Sequence, residues 1–375
     1  MSIRSRVDLY RKIEELRERP LIVYATSPRF NAGGKMGSDA IPEICDQIAA
    51  LPTNSRKADL LIVSSGGDPM VAWRTISMLR EKVDDLGVLV PHTAYSAATL
   101  LALGADEIVM HPFANLGPID PQIDIQRKGK DGKTENVHFG SEDMEGFLEF
   151  ARKKVGLSDQ ANMLEVFKLF CAEAGPISIG IATRGSQLSV QLGIKLLQTR
   201  KRIKRDDRKA KEIVDRLNKQ YFNHGYALSR NEAKEIGLNV KYPPEGLEQA
   251  MWDLWREIEV DIKARHPFNP MSIVADDPRM KGLFEPLPSL NLPADTPPQA
   301  VQQIWQNVIN SFLSRPLATC PEIEYTTAHA VLESTRLQRM FIERGKIAPS
   351  RGPDGVLLNI TKTSSEWCDS IDNAS

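Results

Sequence analysis

Two corners of the sequence offer complementary chemistry. In "DLLIVSSGGDPMVAWRTISML", residues 59–79, the pair Gly66 and Gly67 closes an apolar run, and a helical pattern opens just beyond it. In "VLVPHTAYSAATLLALGADEIVM", residues 88–110, the same shape carries Ser96 at the corner. Adjacent glycines take dihedrals closed to other residues and leave amide N–H groups uncovered by side chains. Such donors suit an oxygen that gains negative charge. Ser96 is the candidate nucleophile. Ala97 and Ala98 are small enough for a substrate backbone to approach, and the helix start they form favours negative charge beside the hydroxyl. Taken singly, each corner has an ordinary explanation: Gly-Gly serves tight turns, and a serine before a helix is usually a cap. A phosphate cradle is a third use for such glycines, but neither G-x-x-x-x-G-K-[ST] nor G-x-G-x-x-G is present.

The elements that must position these corners read as alternating strands and helices. "PLIVYAT" is a strand candidate, followed by the Gly-rich loop "SPRFNAGGKMGSDA" and a helix over about 41–51. "DLLIVSS", "GVLVPHTA" and "DEIVMHP" are further strands, separated by the helical runs "PMVAWRTISMLREKV" and "SAATLLALGA". Short, continuously apolar strands alternating with helices predict crossover units on a buried, largely parallel sheet.

Later segments turn helical. "SEDMEGFLEFARKKV" places Met144, Phe147, Leu148, Ala151 and Val155 on one face behind a Ser141 cap. The basic run "TRKRIKRDDRKAKEIVDRL" interleaves with acids and reads as a solvated helix face. "LSRNEAKEIGL" carries a capping box, Ser229 with Glu232, and stops at Gly237. The chain divides into an N-terminal helix at 1–19, a main domain at 20–242 and a helical extension at 243–285. A Pro-rich linker at 286–298 and a helical C-terminal region at 299–375 follow.

Composition excludes several classes. With 48 basic and 49 acidic residues the net charge is -1, so no overall field points to nucleic acid or a membrane surface. The apolar runs are short of the roughly 20 residues of a membrane span, and the N-terminus is too charged for a secretory signal. Cys45, Cys171, Cys320 and Cys368 lie far apart without paired spacing, which suits a reduced cytoplasm and neither a disulfide framework nor a zinc site. No cofactor or metal is expected.

Four blocks, "SSGGDP", "AYSAATLLALGADEIVM", "ANLGPIDPQI" and "LSRNEAKEIGLNV", occur in an order that resembles the serine dehydrogenase proteinase family, relatives of Clp protease and signal peptide peptidase A. The resemblance spans about residues 20–242. It implies an α/β fold of the Clp/crotonase type, built of repeated ββα units, here with a helical C-terminal extension. It also implies a serine peptidase in which Ser96 attacks a peptide carbonyl and Gly66, Gly67 and Ala97 hold the oxyanion. The family has a Ser, Asp, His triad in an order unlike that of Clp protease, and Ser96, Asp120 and His224 fit that order. Where relatives carry an aspartate after that histidine, this chain has Gly225.

A serine hydroxyl needs a base, and a carboxylate of ordinary pKa is a poor one. His224 must therefore reach Ser96 with Asp120 on its far nitrogen. The second mechanism in the superfamily is a Ser-Lys dyad, for which Lys128, Lys130 and Lys133 in "QRKGKDGKTEN", and Lys153 and Lys154, are the candidates; none lies in an apolar setting. His92, His111 and His138 compete with His224 as bases. A crotonase-like acyl-thioester enzyme and a catalytically silent scaffold are the non-peptidase alternatives. The expected substrate is a short peptide or unfolded protein. A homo-oligomer is expected too, because the N-terminal helix and the amphipathic helices at 141–156 and 245–265 must cover their apolar stripes.

Overall fold

The run Leu21–Thr26 is buried at every residue, which a strand sustains only when both faces of its sheet are covered. In the computed structural model, which describes residues 3–128, 132–221, 223–285, 292, 296–313, 320–352 and 355–370, helices supply that cover. The first half alternates: α1 (Ile3–Arg17), β1 (Leu21–Thr26), α2 (Ala40–Ala49), β2 (Lys57–Val63), α3 (Pro69–Lys82), β3 (Asp85–Val90), β4 (Thr93–Ala94), α4 (Ala97–Leu103), β5 (Glu107–Met110) and β6 (Asn115–Leu116). A hairpin of β7 (Ile123–Lys128) and β8 (Thr134–Phe139) leads into α5 (Ser141–Lys153), α6 (Gln160–Ala174), α7 (Pro176–Gln198) and α8 (Asp207–Lys219). Then come β9 (Leu228–Ser229), α9 (Arg230–Glu235), β10 (Val240–Lys241), α10 (Glu245–Asp261), α11 (Pro270–Asp276) and α12 (Pro298–Leu313). The chain closes with β11 (Ile323–Glu333), β12 (Gln338–Gly352) and β13 (Gly355–Asp369).

The large sheet runs β10-β5-β3-β2-β1-β11-β12-β13. Strands β10, β5, β3, β2 and β1 are parallel, and β11 joins β1 antiparallel. Alternation along β1 splits the core in two. Leu21, Val23 and Ala25 pack with Tyr10 and Ile13 of α1 and Leu254 and Trp255 of α10. Ile22 and Tyr24 face a second cluster built from α2, α3, α4, α7 and α8. Helix α1 is tied down by charge as well: Arg6 pairs with buried Glu333 at 3.0 Å, and the Tyr10 hydroxyl donates to the same carboxylate. Burial and that neighbouring charge push the Tyr10 hydroxyl well above its ordinary pKa, so it stays a donor.

The C-terminal region departs from the helical expectation. Among the described residues α12 is the one α-helix there; Ile323–Glu333, Gln338–Gly352 and Gly355–Asp369 are strands. The run "AHAVLESTRL" has helical spacing, but residues 330–333 within it are buried one after another and pair antiparallel with the open edge of β1, with Val23 opposite Glu333 and Thr26 opposite Ala330. Before them β11 alternates, Ile323, Tyr325 and Thr327 buried and Glu324 and Thr326 exposed, where it pairs with β12. Strands β11, β12 and β13 therefore extend the main sheet where a helical region was expected. Of the Pro-rich segment, 286–291 and 293–295 lie outside the described residues, and Pro298 begins α12. Ser141, expected as a cap, is the first residue of α5, and Asp143 accepts from the Gly140 N–H at 2.7 Å. The capping box of Ser229 and Glu232 is formed.

Two of the three stripes invoked for an oligomer are covered within the chain, since α1 and α10 pack on each other and on the sheet. The third is not. Phe147, Phe150 and Val155 on and just after α5, and Leu164, Phe167 and Leu169 on α6, are exposed.

Candidate active site

Ser96 sits between β4 and α4 with φ 53° and ψ -115°, a conformation that a residue with a Cβ holds at a cost of about 1–3 kcal/mol. The surroundings impose it. Ser64 N–H donates to the Thr93 carbonyl and Tyr95 N–H to the Ser64 carbonyl, both at 2.9 Å, while Leu100 N–H takes the Ser96 carbonyl at 3.0 Å. The Ser96 side chain makes no capping hydrogen bond. The usual reason for a serine before a helix is thus missing, and the half-buried hydroxyl is left uncommitted.

Gly66 and Gly67 adopt φ values of 103° and 150°. A Cβ on Gly66 would lie 2.8 Å from Ser96 Cβ, and one on Gly67 would lie 2.4 Å from the Met36 carbonyl oxygen. Glycine is required at both positions by close approach as well as by dihedral. Their amides differ. The Gly66 N–H donates to Ser64 Oγ at 3.0 Å, and Ser64 Oγ is in turn 2.7 Å from Thr26 Oγ1, so Gly66 is not available as an oxyanion donor. Met36 N–H donates to the Gly66 carbonyl at 2.8 Å and Asp68 N–H to the Met36 carbonyl at 2.9 Å. That bridge leaves the Gly67 N–H, with the first helical amide at Ala97, unpartnered among the described residues. Gly66 shapes the turn, and Gly67 and Ala97 are the free donors.

Asp120 and His224, 104 residues apart, meet: Nδ1 of His224 lies 3.0 Å from Asp120 Oδ1. The other carboxylate oxygen, Oδ2, accepts from Gln122 Nε2 at 2.8 Å. The contact holds the imidazole by Nδ1 and leaves Nε2 for another partner. The segment before Asp120 is fixed by three elements. Ile119 N–H donates to Leu217 O at the end of α8 (3.0 Å), Ser189 Oγ of α7 donates to Ile119 O, and buried Thr99 of α4 accepts from Gly117 N–H at 3.0 Å. Ser96, Gly66, Gly67 and His224 line one cleft of about 520 Å³. No hydrogen bond joins the Ser96 hydroxyl to the His224 ring.

The side chains of the competing candidates Lys128 and His138 lie outside the described residues, and others lie away from the cleft. His92 stacks on Trp255 with centroids 5.4 Å apart, and His111 on Trp252 at 5.0 Å, on the α10 side of the sheet. Burial lowers the pKa of both. Lys133 is exposed, and Lys153, on the exposed face of α5, pairs with Glu149; Lys130 lies outside the described residues. Among the described residues, the lysine that does line the cleft is Lys35. Thr26, Ser64 and Thr99, which hold the two corners in place, went unnoticed in the sequence. Thr99 carried the one usable signal, a hydroxyl one turn after Ser96 inside an otherwise apolar helix.

Residues 38–128 match the family model of the ClpP-like SDH-type serine proteinases. The resemblance to that family is borne out there. The matched span contains Gly66, Gly67, Ser96, Ala97 and Asp120 but not His224. The ClpP-like fold follows, with mixed α/β elements around one large sheet. Two uncharacterized proteins of Methanocaldococcus jannaschii are 29% identical to this chain, over 183 residues (48% of this chain, 51% of the relative) and over 208 residues (53% and 58%). The chain thus spans about half the length of the curated relatives it matches. Among solved structures, a serine-to-alanine variant of the membrane-bound stomatin-specific protease 1510-N superposes over 65% of this chain and 85% of its own, at 13% identity and a TM-score of 0.37. ClpP1 from Listeria monocytogenes covers 65% and 98%, at 12% identity and a TM-score of 0.32.

Proposed function

We propose that this chain is a serine peptidase in which Ser96 attacks the substrate carbonyl, the Gly67 and Ala97 amides hold the resulting oxyanion, and His224 takes the hydroxyl proton. The observation that carries the reading is the uncapped, left-handed Ser96 set against a Gly-Gly turn in the cleft that His224 lines. The ClpP-like family match supports a serine peptidase in general. In the proposed cycle Nε2 of His224 accepts the Ser96 proton as the acyl bond forms and returns it to the leaving amine. Asp120 fixes the tautomer through Nδ1 and stabilises the imidazolium. Hydrogen bonds of this kind are often long before substrate arrives and tighten in the reacting complex, so the open Ser96–His224 contact suits a resting site. Lost oxyanion donors cost about 3 kcal/mol of transition-state stabilisation, which makes the two free amides as consequential as the base.

Labelling with a fluorophosphonate tests the assignment. The intact protein should be modified at Ser96, and Ser96→Ala should remain folded and unlabelled; labelling that survives the substitution would discard the nucleophile.

The proposal includes a homo-oligomer acting on short or unfolded peptides in the cytoplasm. The four free cysteines support a reducing compartment. The exposed phenylalanines and leucines of α5 and α6 supply an apolar face that a second copy could cover. Among the described residues no single helix is long and apolar enough to cross a membrane, although α6 and α7, bent by 91°, pass on length and composition only as a pair. Light scattering coupled to size exclusion should show a stable multimer in detergent-free buffer. A monomer of about 42 kDa with full activity, or a protein that stays in solution only with detergent, would overturn that part.

A further inference from the structure

Among the described residues the cleft around Ser96 is lined by one lysine and no carboxylate. The lining otherwise includes serines, glycines and prolines with Leu100, Ile119 and Leu188; His224 is engaged with Asp120, which leaves Lys35. The backbone beneath Lys35 is fixed from both sides. Gly34 N–H donates to Ser27 O at 2.8 Å, and a Cβ on Gly34 would lie 1.9 Å from His329 O. On the other side Met36 bridges Gly67, the residue that carries the free amide. Met36 is buried, 1% exposed, so the alternation of an extended segment turns Lys35 the opposite way, toward the opening. The side chain is exposed and has no ion pair among the described residues. The nearest acids along the chain are occupied: Asp39 accepts from Trp367 Nε1 at 2.9 Å, and Asp68 caps α3 through Met70 N–H at 2.8 Å.

We propose that Lys35 anchors a substrate carboxylate, so that the site selects peptides with negative charge close to the scissile bond. This inference rests on the peptidase reading. A lysine rooted one residue from the Gly67 bridge reaches along the groove by the length of its four-carbon stem. A lysine side chain on a flexible stem is a mobile point charge that suits attraction of an anion. The carboxylate could belong to a Glu or Asp side chain or to the peptide's own C-terminus.

Binding to full-length Ser96→Ala separates these. Four fluorescent peptides, identical except for Glu or Gln beside the central bond and a free or amidated C-terminus, are titrated at low and high salt. One charged form should bind about fivefold more tightly than its neutral counterpart at low salt, with the difference shrinking at 1 M salt, as for an exposed ion pair. The Glu/Gln pair and the acid/amide pair identify which carboxylate is read. Adding Lys35→Ala should erase the preference, Lys35→Arg should keep it, and Lys35→Glu should invert it toward a peptide carrying Lys at that position. Equal affinities for all four peptides, no measurable binding, or an equal loss for charged and neutral peptides in Lys35→Ala would overturn the inference. Hydrolysis of the same peptides by the unsubstituted protein tests the peptidase reading separately. A Lys35-dependent preference without hydrolysis would sink that reading alone, and hydrolysis without the preference would sink this inference alone.

Discussion

The two halves of the candidate site are built by different means. The acyl half, Ser96 with Gly66 and Gly67, is set by buried backbone: strands β2 and β4 deliver the two corners, the Ser64–Tyr95 hydrogen bond joins them, and the Met36–Gly66 bond ties the glycine corner to the preceding loop. The proton half is carried on loops that neighbouring helices hold. Asp120 lies in a loop pinned by Thr99, Ser189 and Leu217, and the His224 side chain is 34% exposed just beyond α8. A centre made of backbone in a core has few ways to move; a ring on a half-exposed loop has many. The part of the site that must be pre-formed for oxyanion stabilisation is therefore the rigid part, and the adjustable part is the one that only has to swing into reach.

The largest effects should expose that difference. Ser96→Ala should lower peptide hydrolysis about 10⁴-fold or more, to the level left by binding and the oxyanion donors alone. His224→Ala should cost about 10²–10⁴-fold and leave thermal stability almost unchanged, because it removes one ring from a half-exposed loop. Lys128→Ala, Lys130→Ala and Lys133→Ala should retain activity. A dead lysine variant beside an active His224→Ala would replace the histidine mechanism with a dyad. Steady-state kinetics with melting curves on the five proteins decide between them.

Thr99 is where the halves meet. Its hydroxyl lies 2.6 Å from Ala94 O on the serine side and accepts from Gly117 N–H at 3.0 Å on the Asp120 side, fully buried. Thr99→Val keeps the shape and strands both backbone groups, at a cost of about 1–3 kcal/mol in stability. If the residue positions Asp120 relative to Ser96, kcat should fall while KM holds, and Thr99→Ser should restore both. Loss of stability with unchanged kcat would reduce Thr99 to a packing residue.

Much of the acyl half was legible in the sequence because strand, glycine turn and helix are local patterns. The Gly66 and Gly67 corner and Ser96 could be found from 40 residues of chain, although the amide that is free could not, since it depends on Ser64 Oγ and on Met36 from another loop. The pairing of Asp120 with His224 spans 104 residues, and only the family resemblance brought those two positions together. Lys35 was invisible for the same reason: its place beside Gly67 is a tertiary bridge. The C-terminal strands were misread because β11 is selected by the open edge of β1. Local spacing in "AHAVLESTRL" argues for a helix until that edge is known.

The smallest expected effect concerns the reverse side of the rigid half. His92 follows β3 and His111 follows β5, and they stack on Trp255 and Trp252 of α10. Burial lowers the pKa of each below the ordinary 6.5; Glu259 near His92 and Glu248 near His111 oppose the shift, while Arg265 and Arg230 add to it. With the folded value depressed, the unfolded chain binds protons first as pH falls below 6.5, so stability should decline from there toward acid and be unaffected by these groups at higher pH. The window between 6.5 and about 5.5 lies above the range in which most carboxylates titrate. Among the described residues His92 Nδ1 is buried without a hydrogen-bond partner, so His92→Phe removes a titrating group while keeping an aromatic ring on Trp255. Its melting temperature should fall less steeply between pH 6.5 and 5.5 than that of the unsubstituted protein, with labelling of Ser96 at pH 7.5 unchanged. Identical slopes would show that the acid sensitivity of the rigid half has another source.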